Sequence, residues 1–391
     1  MNNQEVPQGY KETKVGVIPL EWEVVKIGEI GDLVGGGTPS TTNKDYWQGS
    51  IPWISSSDLT DKSIYTVNKH RFITNEAISK SATKKIPKNS ILIISRVGVG
   101  KVAINNEELC VSQDFQCLIP KESNTIFLTY LIKEKTKILL AYNQGTSIKG
   151  FVKSDLKNLK IPLPPLKEQQ KIAKILTTWD DAISKQEELI KIKEQLKKGL
   201  MQKLLSGEVR FDGFSGEWEN IYLGEITTIT TGSSNREDST EYDGEFTFFD
   251  RSEDIRTSNR YLFEGEAIIV AGEGQQFIPK YFVGKFDLHQ RTYAIMNFKN
   301  SVGKYLFYYI WQYNNYFLAQ AVGSTVKSLR LPMFKKMKIK LPSLQEQEKI
   351  AKVLSNSDKE IELLKNELES LKEQKKGLMQ RLLSGEVRVE V

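Results

Sequence analysis

The sequence predicts an α+β fold: two mixed α/β units, each followed by a long helix, with the two helices pairing as an antiparallel coiled coil. Three observations predict it. A near-constant tract is written twice, that tract carries a heptad pattern, and short strand-and-turn patterns precede each copy.

The repeat comes first. IPLPPLKEQQKIAKIL from Ile161 returns as IKLPSLQEQEKIAKVL from Ile339, an offset of 178 that continues without a gap to KKGLMQKLLSGEVR from Lys197 and KKGLMQRLLSGEVR from Lys375. About half of the 50 paired positions are identical. The pairing extends weakly upstream, where Gly145 to Lys149 match Gly323 to Lys327 at the same offset, and EWEVVKIGEI from Glu21 resembles EWENIYLGEI from Glu217 at an offset of 196. The first variable unit is therefore longer by 18 residues. After the first constant tract the chain runs GEVRFDGFSGEWE into the second unit, whereas the second tract is followed by GEVRVEV. The missing continuation resembles the segment before Glu21, so the two termini are expected to meet and close a pseudo-twofold, circular arrangement. The expected division is 1–165, 166–210, 211–343 and 344–391.

Inside the constant tracts the apolar residues alternate at spacings of 4 and 3. The second copy places Ile350, Leu354, Ile361, Leu364, Leu368, Leu371, Leu378 and Leu382 on one seam, with Ser357 and Lys375 as polar interruptions. In the same register the first places Ile172, Leu176, Trp179, Ile183, Ile190, Leu200 and Leu204, interrupted by Gln186, Lys193 and Lys197. Ser343 and Glu346 suggest a capping box, Pro164 and Pro165 mark the other start, and Gly207 and Gly385 stand where a helix needs a left-handed residue to stop. Each helix should run some 40 residues, or ~60 Å. Gly199 and Gly377 lie inside them, either inherited from the duplication or marking a close backbone approach.

The variable units read differently. IPWIS, ILIISRVG and FQCLI in the first, and FTFF, AIIVAGEG and TYAIM in the second, are short apolar or alternating runs bounded by turn residues, hence strands. Helices are expected near Phe127–Leu140 and from about Lys304 to Gln320. Gly35 to Gly37 predict a flexible loop beside a ligand, with Gly232 to Ser234 opposite them in the second unit. Trp53 and the aromatic cluster from Tyr305 to Trp311 are expected in the core.

Composition narrows the function. With 39% hydrophobic and 27% charged residues in 391, the chain should fold into two or three domains. No run of ~18 apolar residues occurs and the first residues lack the apolar stretch of a signal peptide, so a cytoplasmic protein with no membrane partner is expected. Cys110 and Cys117 fit no disulfide framework or zinc spacing and are expected in the core. His70 and His289 are the only histidines, which makes a His-based metal site or catalytic dyad improbable. Neither the phosphate-loop pattern around Gly98, Gly100 and Lys101 nor the dinucleotide pattern around Gly272 and Gly274 is complete, and the motif of an adenine methyltransferase is missing. No catalytic and no metal residue is expected. Charge is one-sided locally: residues 62–101 carry nine basic residues against Glu76 alone, and residues 327–340 carry six and no acid. Such stretches suit a polyanion.

Two unlike units, each followed by a helix beginning PLxEQxKIAxxL and ending KKGLMQxLLSGEVR, resemble the specificity subunit of type I restriction-modification systems. YWQGSIPWISSSDL from Tyr46 and the Gly-Glu-Ile motifs at Gly28 and Gly224 add to the resemblance. It implies that the globular units are target recognition domains, each reading one half of a split double-stranded DNA sequence. The helices are then a spacer and a docking surface for two modification subunits, which carry S-adenosylmethionine and the adenine N6 methylation chemistry. Two restriction subunits add ATP- and Mg-dependent translocation and cleavage. No cofactor and no reaction belongs to this chain itself. A rigid spacer agrees with that role, because it permits one register of two half-sites on a duplex. Two related readings also fit the sequence: a specificity subunit whose partner fuses nuclease and methyltransferase, and a coiled-coil adaptor without DNA binding.

Residues able to read base edges or hold phosphates are the DNA-binding candidates. In the first unit these are Thr38, Ser55, Ser57, Lys62, Arg96, Lys101 and Lys149. In the second they are Ser234, Asn235, Arg236, Arg251, Gln275, Gln276, Arg291 and Lys327.

Overall fold

The heptad tracts form two helices, Leu166–Ser206 and Leu344–Ser384. Both stop at the expected glycines: Gly207 and Gly385 have φ of +78° and +79°, a region open to Gly and costly for other residues. The computed structural model describes residues 6–141, 150–240, 243–251 and 254–390. The chain divides into two units, residues 1–185 with 368–391, and residues 186–367, so each long helix contributes a stretch to both.

In the first unit, one four-stranded sheet runs Arg71–Ile73, Ile51–Ile54, Leu109–Val111, Lys85–Ile86, and a second runs Gly31–Gly35, Phe115–Pro120, Ile91–Ile94, Val102–Ile104. Ile91–Ile94 is buried on both faces. Successive side chains of a strand point to opposite faces. Accordingly Leu92 and Ile94 pack with Ile54, Val111, Phe115 and Cys117, while Ile91 and Ile93 pack with Phe127, Leu128 and Leu131 of the helix Thr125–Ala141. Cys117 is buried with Leu92 and Ile94, Cys110 is buried in a separate cluster with Trp53, Ile73 and Ala77, and burial pushes the Cys110 thiol up to about 11.

The core around Ile91, Ile93 and Phe127 takes in Ile172 and Leu176 from the first long helix together with Leu382 and Leu383 from the second. Asp180 pairs with Lys375. Rising numbers on one helix thus meet falling numbers on the other, so the stretches are antiparallel. The Tyr130 hydroxyl donates to Asp180, and the Lys375 ammonium lies 5.1 Å from the Tyr130 ring centroid. Segments near the two ends of the described chain meet here, as expected. Arg388 grips the buried Glu168 carboxylate through Nε (2.8 Å) and Nη2 (3.2 Å), Trp22 Nε1 donates to the same group at 2.9 Å, and Tyr10 donates to the Gly385 carbonyl at 3.0 Å.

In the second unit a six-stranded sheet runs Thr228–Thr231, Thr292–Met296, Phe263–Ala271, Lys280–Leu288, Phe246–Phe249, Ile255–Ser258. Against it lies Gly303–Gln312, in which Tyr305 to Ile310 are all buried. The single helix expected from Lys304 to Gln320 is two, Gly303–Gln312 and Asn315–Gln320. Asn314 and Asn315 fall at the break, and Asn side chains compete with helical backbone hydrogen bonds.

Here too the long-helix stretches are antiparallel: Gln186 Nε2 donates to the Leu364 carbonyl at 3.1 Å, Lys193 pairs with Glu360, and Lys197 with Asp358. Tyr308 donates to Asp358, and the Lys197 ammonium lies over the Trp311 ring at 4.4 Å. Arg210 grips buried Glu346 through Nε (2.8 Å) and Nη2 (2.7 Å), with Trp218 donating at 3.2 Å. The expected capping box is therefore only half made. Ser343 Oγ accepts from the Glu346 N–H at 3.4 Å, but the Glu346 carboxylate is turned to Arg210 and Trp218.

Every seam residue named from the heptads is buried or half-buried, whereas Leu189, Ile192, Leu196 and Leu363, off the seam, are exposed. The polar interruptions Gln186, Lys193, Lys197 and Lys375 each find a polar partner across the helix pair, and Ser357 donates to the Val353 carbonyl of its own helix. A Cβ on Gly199 or Gly377 would meet no described atom of this chain within 4 Å, so the chain itself supplies no close backbone approach there.

Candidate nucleic-acid interface

Five backbone hydrogen bonds recur in both units and align heads whose sequences do not. Gly37 N–H donates to Val111 as Ser234 donates to Leu288; Ser112 donates to Ile54 as His289 donates to Phe249. Phe115 donates to Ser112 as Thr292 donates to His289, and Ser95 donates to Asp114 as Gly272 donates to Arg291. Phe151 donates to Ser95 as Leu329 donates to Gly272. Each head thus presents one tight turn, Ser112–Gln113–Asp114 or His289–Gln290–Arg291, against a glycine-rich loop.

The loops are not the flexible segments expected from their glycines. A Cβ on Gly36 would collide with the Ser112 and Val111 carbonyls, and one on Gly232 with the Leu288 carbonyl. Glycine is required by packing, which fixes what the loop carries next. In the first unit the Thr38 hydroxyl meets the Gln113 side-chain oxygen. In the second, Gln290 Nε2 donates to Asn235 Oδ1 at 2.7 Å. The flanking residue also acts alike, since Ser112 Oγ accepts from the Asp114 N–H at 3.3 Å and His289 Nδ1 from the Arg291 N–H at 3.0 Å. Burial first, then the charge of Arg251, holds the His289 pKa below its ordinary value of 6.5, with Arg291 adding to the lowering and Asp250 and Glu273 opposing it.

In the second unit most candidates gather. Arg251 and Arg291 both hold Glu273, each at 2.9 Å, and remain about half exposed. The hydrogen bonds of Arg291, opposed by burial and helped by Arg251, hold the Glu273 carboxyl below the usual range. Arg236 reaches Asp250 at 3.7 Å, beside Arg251, and Lys327 pairs with Gly274 on a short two-stranded ladder. Gln275 and Gln276 are exposed on the loop that follows. Ser234 differs from the exposed loop position expected for it: it is buried, and its hydroxyl is committed to Asp287 and Arg260.

The first unit is more dispersed. Ser55 and Ser57 share a hydrogen bond of 2.9 Å, and Ser55 binds Asp58, which Arg71 holds at 2.7 Å while lying 4.7 Å over Trp53. Burial raises the Asp58 pKa, but the Ser55 N–H and hydroxyl and Arg71 outweigh it and leave it lowered. Lys62 and Arg96 are exposed and Lys101 half-buried; none has a side-chain hydrogen bond or ion pair among the described residues. Lys149, with the rest of Gly145 to Lys149, lies outside the described residues. Sequence reasoning missed Gln113, Gln290, Asp58, Asp287 and Glu273. Only the glutamines left a signal: VSQDF from Val111 and LHQRT from Leu288 share Gln at an offset of 177, one from that of the repeat.

Duplicated, self-closing and bearing two unlike heads on like turns, the chain has the architecture of a two-headed recognition protein. It belongs to a known family: residues 19–194 and 215–373 each match the type I restriction modification DNA specificity domain. The chain is a type I restriction-modification specificity subunit. Among its relatives, the MjaVIII specificity subunit of Methanocaldococcus jannaschii is 27% identical over 98% of this chain and 96% of its own length. The MjaIX specificity subunit of the same organism is 36% identical, over 58% of this chain and 56% of that protein. The chain thus spans little more than half of the latter relative. The solved S subunit of a type I system from M. genitalium shares the fold, with a TM-score of 0.60 and 21% identity over 93% of this chain and 96% of that one. Among the described residues no helix is long and apolar enough to cross a membrane.

Proposed function

We propose that this chain tells a type I complex where on double-stranded DNA to act, and that it performs none of the chemistry. The domain of residues 1–165 reads one half of a bipartite, asymmetric target and that of 211–343 reads the other. The helical tracts 166–210 and 344–391 set the gap between the half-sites and dock two modification subunits, which bring S-adenosylmethionine and methylate adenine N6. Two restriction subunits add ATP- and Mg-dependent cleavage, in the cytoplasm. One solved relative, at a TM-score of 0.59, is described in terms of complex assembly of the type I system, which supports partners of this kind.

The observation that carries the reading is the contrast within each matched domain: a repeated frame of clasps and helix pairing, and a head whose side chains differ on the same backbone turn. Like frames suit like partners, and unlike heads suit unlike half-sites. Methylome sequencing of a methylation-free host expressing the chain with its modification subunit tests this. One asymmetric motif of two short parts around a fixed gap, with modified adenine in each part, is expected. A single continuous motif, or none, would refute it.

A further inference from the structure

Gln113 and Gln290 are the one exposed side chain that the two heads have in common at an aligned position of the turn. Their backbone setting is the same: each is the middle residue of a turn whose first residue donates its N–H to the neighbouring strand end, Ile54 or Phe249, at 2.8 and 2.9 Å. The third residue's carbonyl accepts from Ser95 or Gly272, at 2.7 and 2.8 Å. Each carboxamide is also tethered by one hydrogen bond to the polar residue ending the glycine loop, in opposite senses: Gln113 Oε1 accepts from the Thr38 hydroxyl, and Gln290 Nε2 donates to Asn235 Oδ1, so both keep at least one amide N–H free of the tether. One tether fixes a carboxamide and leaves it capacity, because the group has two N–H donors and an oxygen with two lone pairs.

The residues around these glutamines do not correspond. Ser112 stands against His289, and Asp114 against Arg291, an acid against a base. If the heads read unlike half-sites, side chains that differ can distinguish the targets and a side chain that is shared cannot. Contacts to phosphate and sugar are what every half-site has in common, and they fix register without carrying sequence. Resting on the DNA-reading role proposed above, we infer that Gln113 and Gln290 are positioning residues, each donating its free amide N–H to a DNA backbone oxygen and so seating its head in the same register. Specificity then falls to the side chains that differ around them. The exposure of both amides, on turns pinned at three backbone points, suits this: the donor is presented to solvent with little freedom left to lose.

The test uses the assembled complex with its modification subunits, a duplex carrying the target defined by methylome sequencing, and a duplex of scrambled sequence. Gln113→Ala and Gln290→Ala should each weaken binding about 3- to 10-fold, the range of one ordinary hydrogen bond. The loss should be similar on both duplexes, with the methylated motif unchanged. Gln113→Lys and Gln290→Lys should bind both duplexes at least as tightly and steepen the log–log salt dependence by about 0.9, one phosphate's worth. Both glutamine side chains are exposed, so these variants are expected to keep the fold, and unchanged thermal unfolding of each is the control. Relaxation of the motif at one base, in either half-site, would make the glutamines base readers and overturn the inference. So would alanine variants of unchanged affinity, or lysine variants of unchanged salt slope. If the unmutated complex shows no motif at all, the DNA-reading role fails first and the inference with it, so the two failures are distinct.

Discussion

From Ile54 to Ser95 the first head runs 41 residues, while the aligned Phe249 and Gly272 of the second are 23 apart. The surplus of 18 equals the difference between the two repeat offsets, so this interval accounts for the net length difference between heads, the other aligned intervals differing by no more than one or two residues. In the first head the interval carries the strand Arg71–Ile73, the helix Asn75–Ser79 and most of the basic stretch 62–101. Among the described residues the second has there the edge strand Ile255–Ser258 and the whole of Phe263–Ala271. The clasps, by contrast, agree residue by residue: Glu168, Trp22 and Arg388 against Glu346, Trp218 and Arg210. So do the ion-paired triads Tyr130, Asp180, Lys375 and Tyr308, Asp358, Lys197. Each clasp and triad joins residues far apart in the chain inside a buried or half-buried setting, where a change in one member strands the others. The interval between Ile54 and Ser95 holds no member of a clasp or triad, and it is where the heads differ in length.

The sharpest way to break this comparison is at the clasps. Arg388→Ala leaves the Glu168 carboxylate, 1% exposed, without its counter-charge, a loss on the order of 3 kcal/mol. Arg210→Ala does the same to Glu346, also 1% exposed. Hydrogen exchange should show loss of protection confined to residues 1–185 and 368–391 in the first case and to 186–367 in the second, of similar size. A loss shared equally by both units in either variant would mean that the frame is not two independent clasps.

A smaller effect separates the turns. His289 is buried, faces Asp250, Arg251, Glu273 and Arg291, and has its pKa lowered by burial first. The unfolded chain therefore takes up a proton on this ring at a higher pH than the folded one. The stability it contributes is complete above about pH 6.5 and falls as pH drops below that value. Ser112 stands at this position in the first head, so His289→Ser should flatten the decline between pH 6.5 and 5. Denaturant midpoints of the two forms across that range measure it; parallel slopes would remove His289 from the account.

The long helices, their seam and their ends were legible because they rest on period and on Gly207 and Gly385, which are local signals. Closure of the termini was legible through the duplication. The polar interruptions were visible as such, but their meaning was not: that Lys197 meets Asp358, and Lys375 meets Asp180, depends on which helix lies opposite and in what register. For the same reason Glu346 read as a capping residue, when an arginine 136 positions away claims its carboxylate. In the heads, residue type alone proposed Ser234 and the glycine loops as open surface. Backbone approach closed them, and the glutamine turns emerged only when the two heads could be aligned by hydrogen bonds instead of by sequence.

The claim that paired helices set the gap while the heads set the half-sites is tested most directly by shortening the shaft. One heptad is removed from each helix in matched positions, between Ile183 and Leu196 and between Ile361 and Gln374, and the methylome of cells carrying the complex is sequenced. Seven residues shorten a helix by about 10 Å, or about 3 base pairs of duplex. The account predicts both half-site sequences unchanged with a shorter gap between them. The same gap with intact half-sites, or an altered half-site sequence, would contradict it.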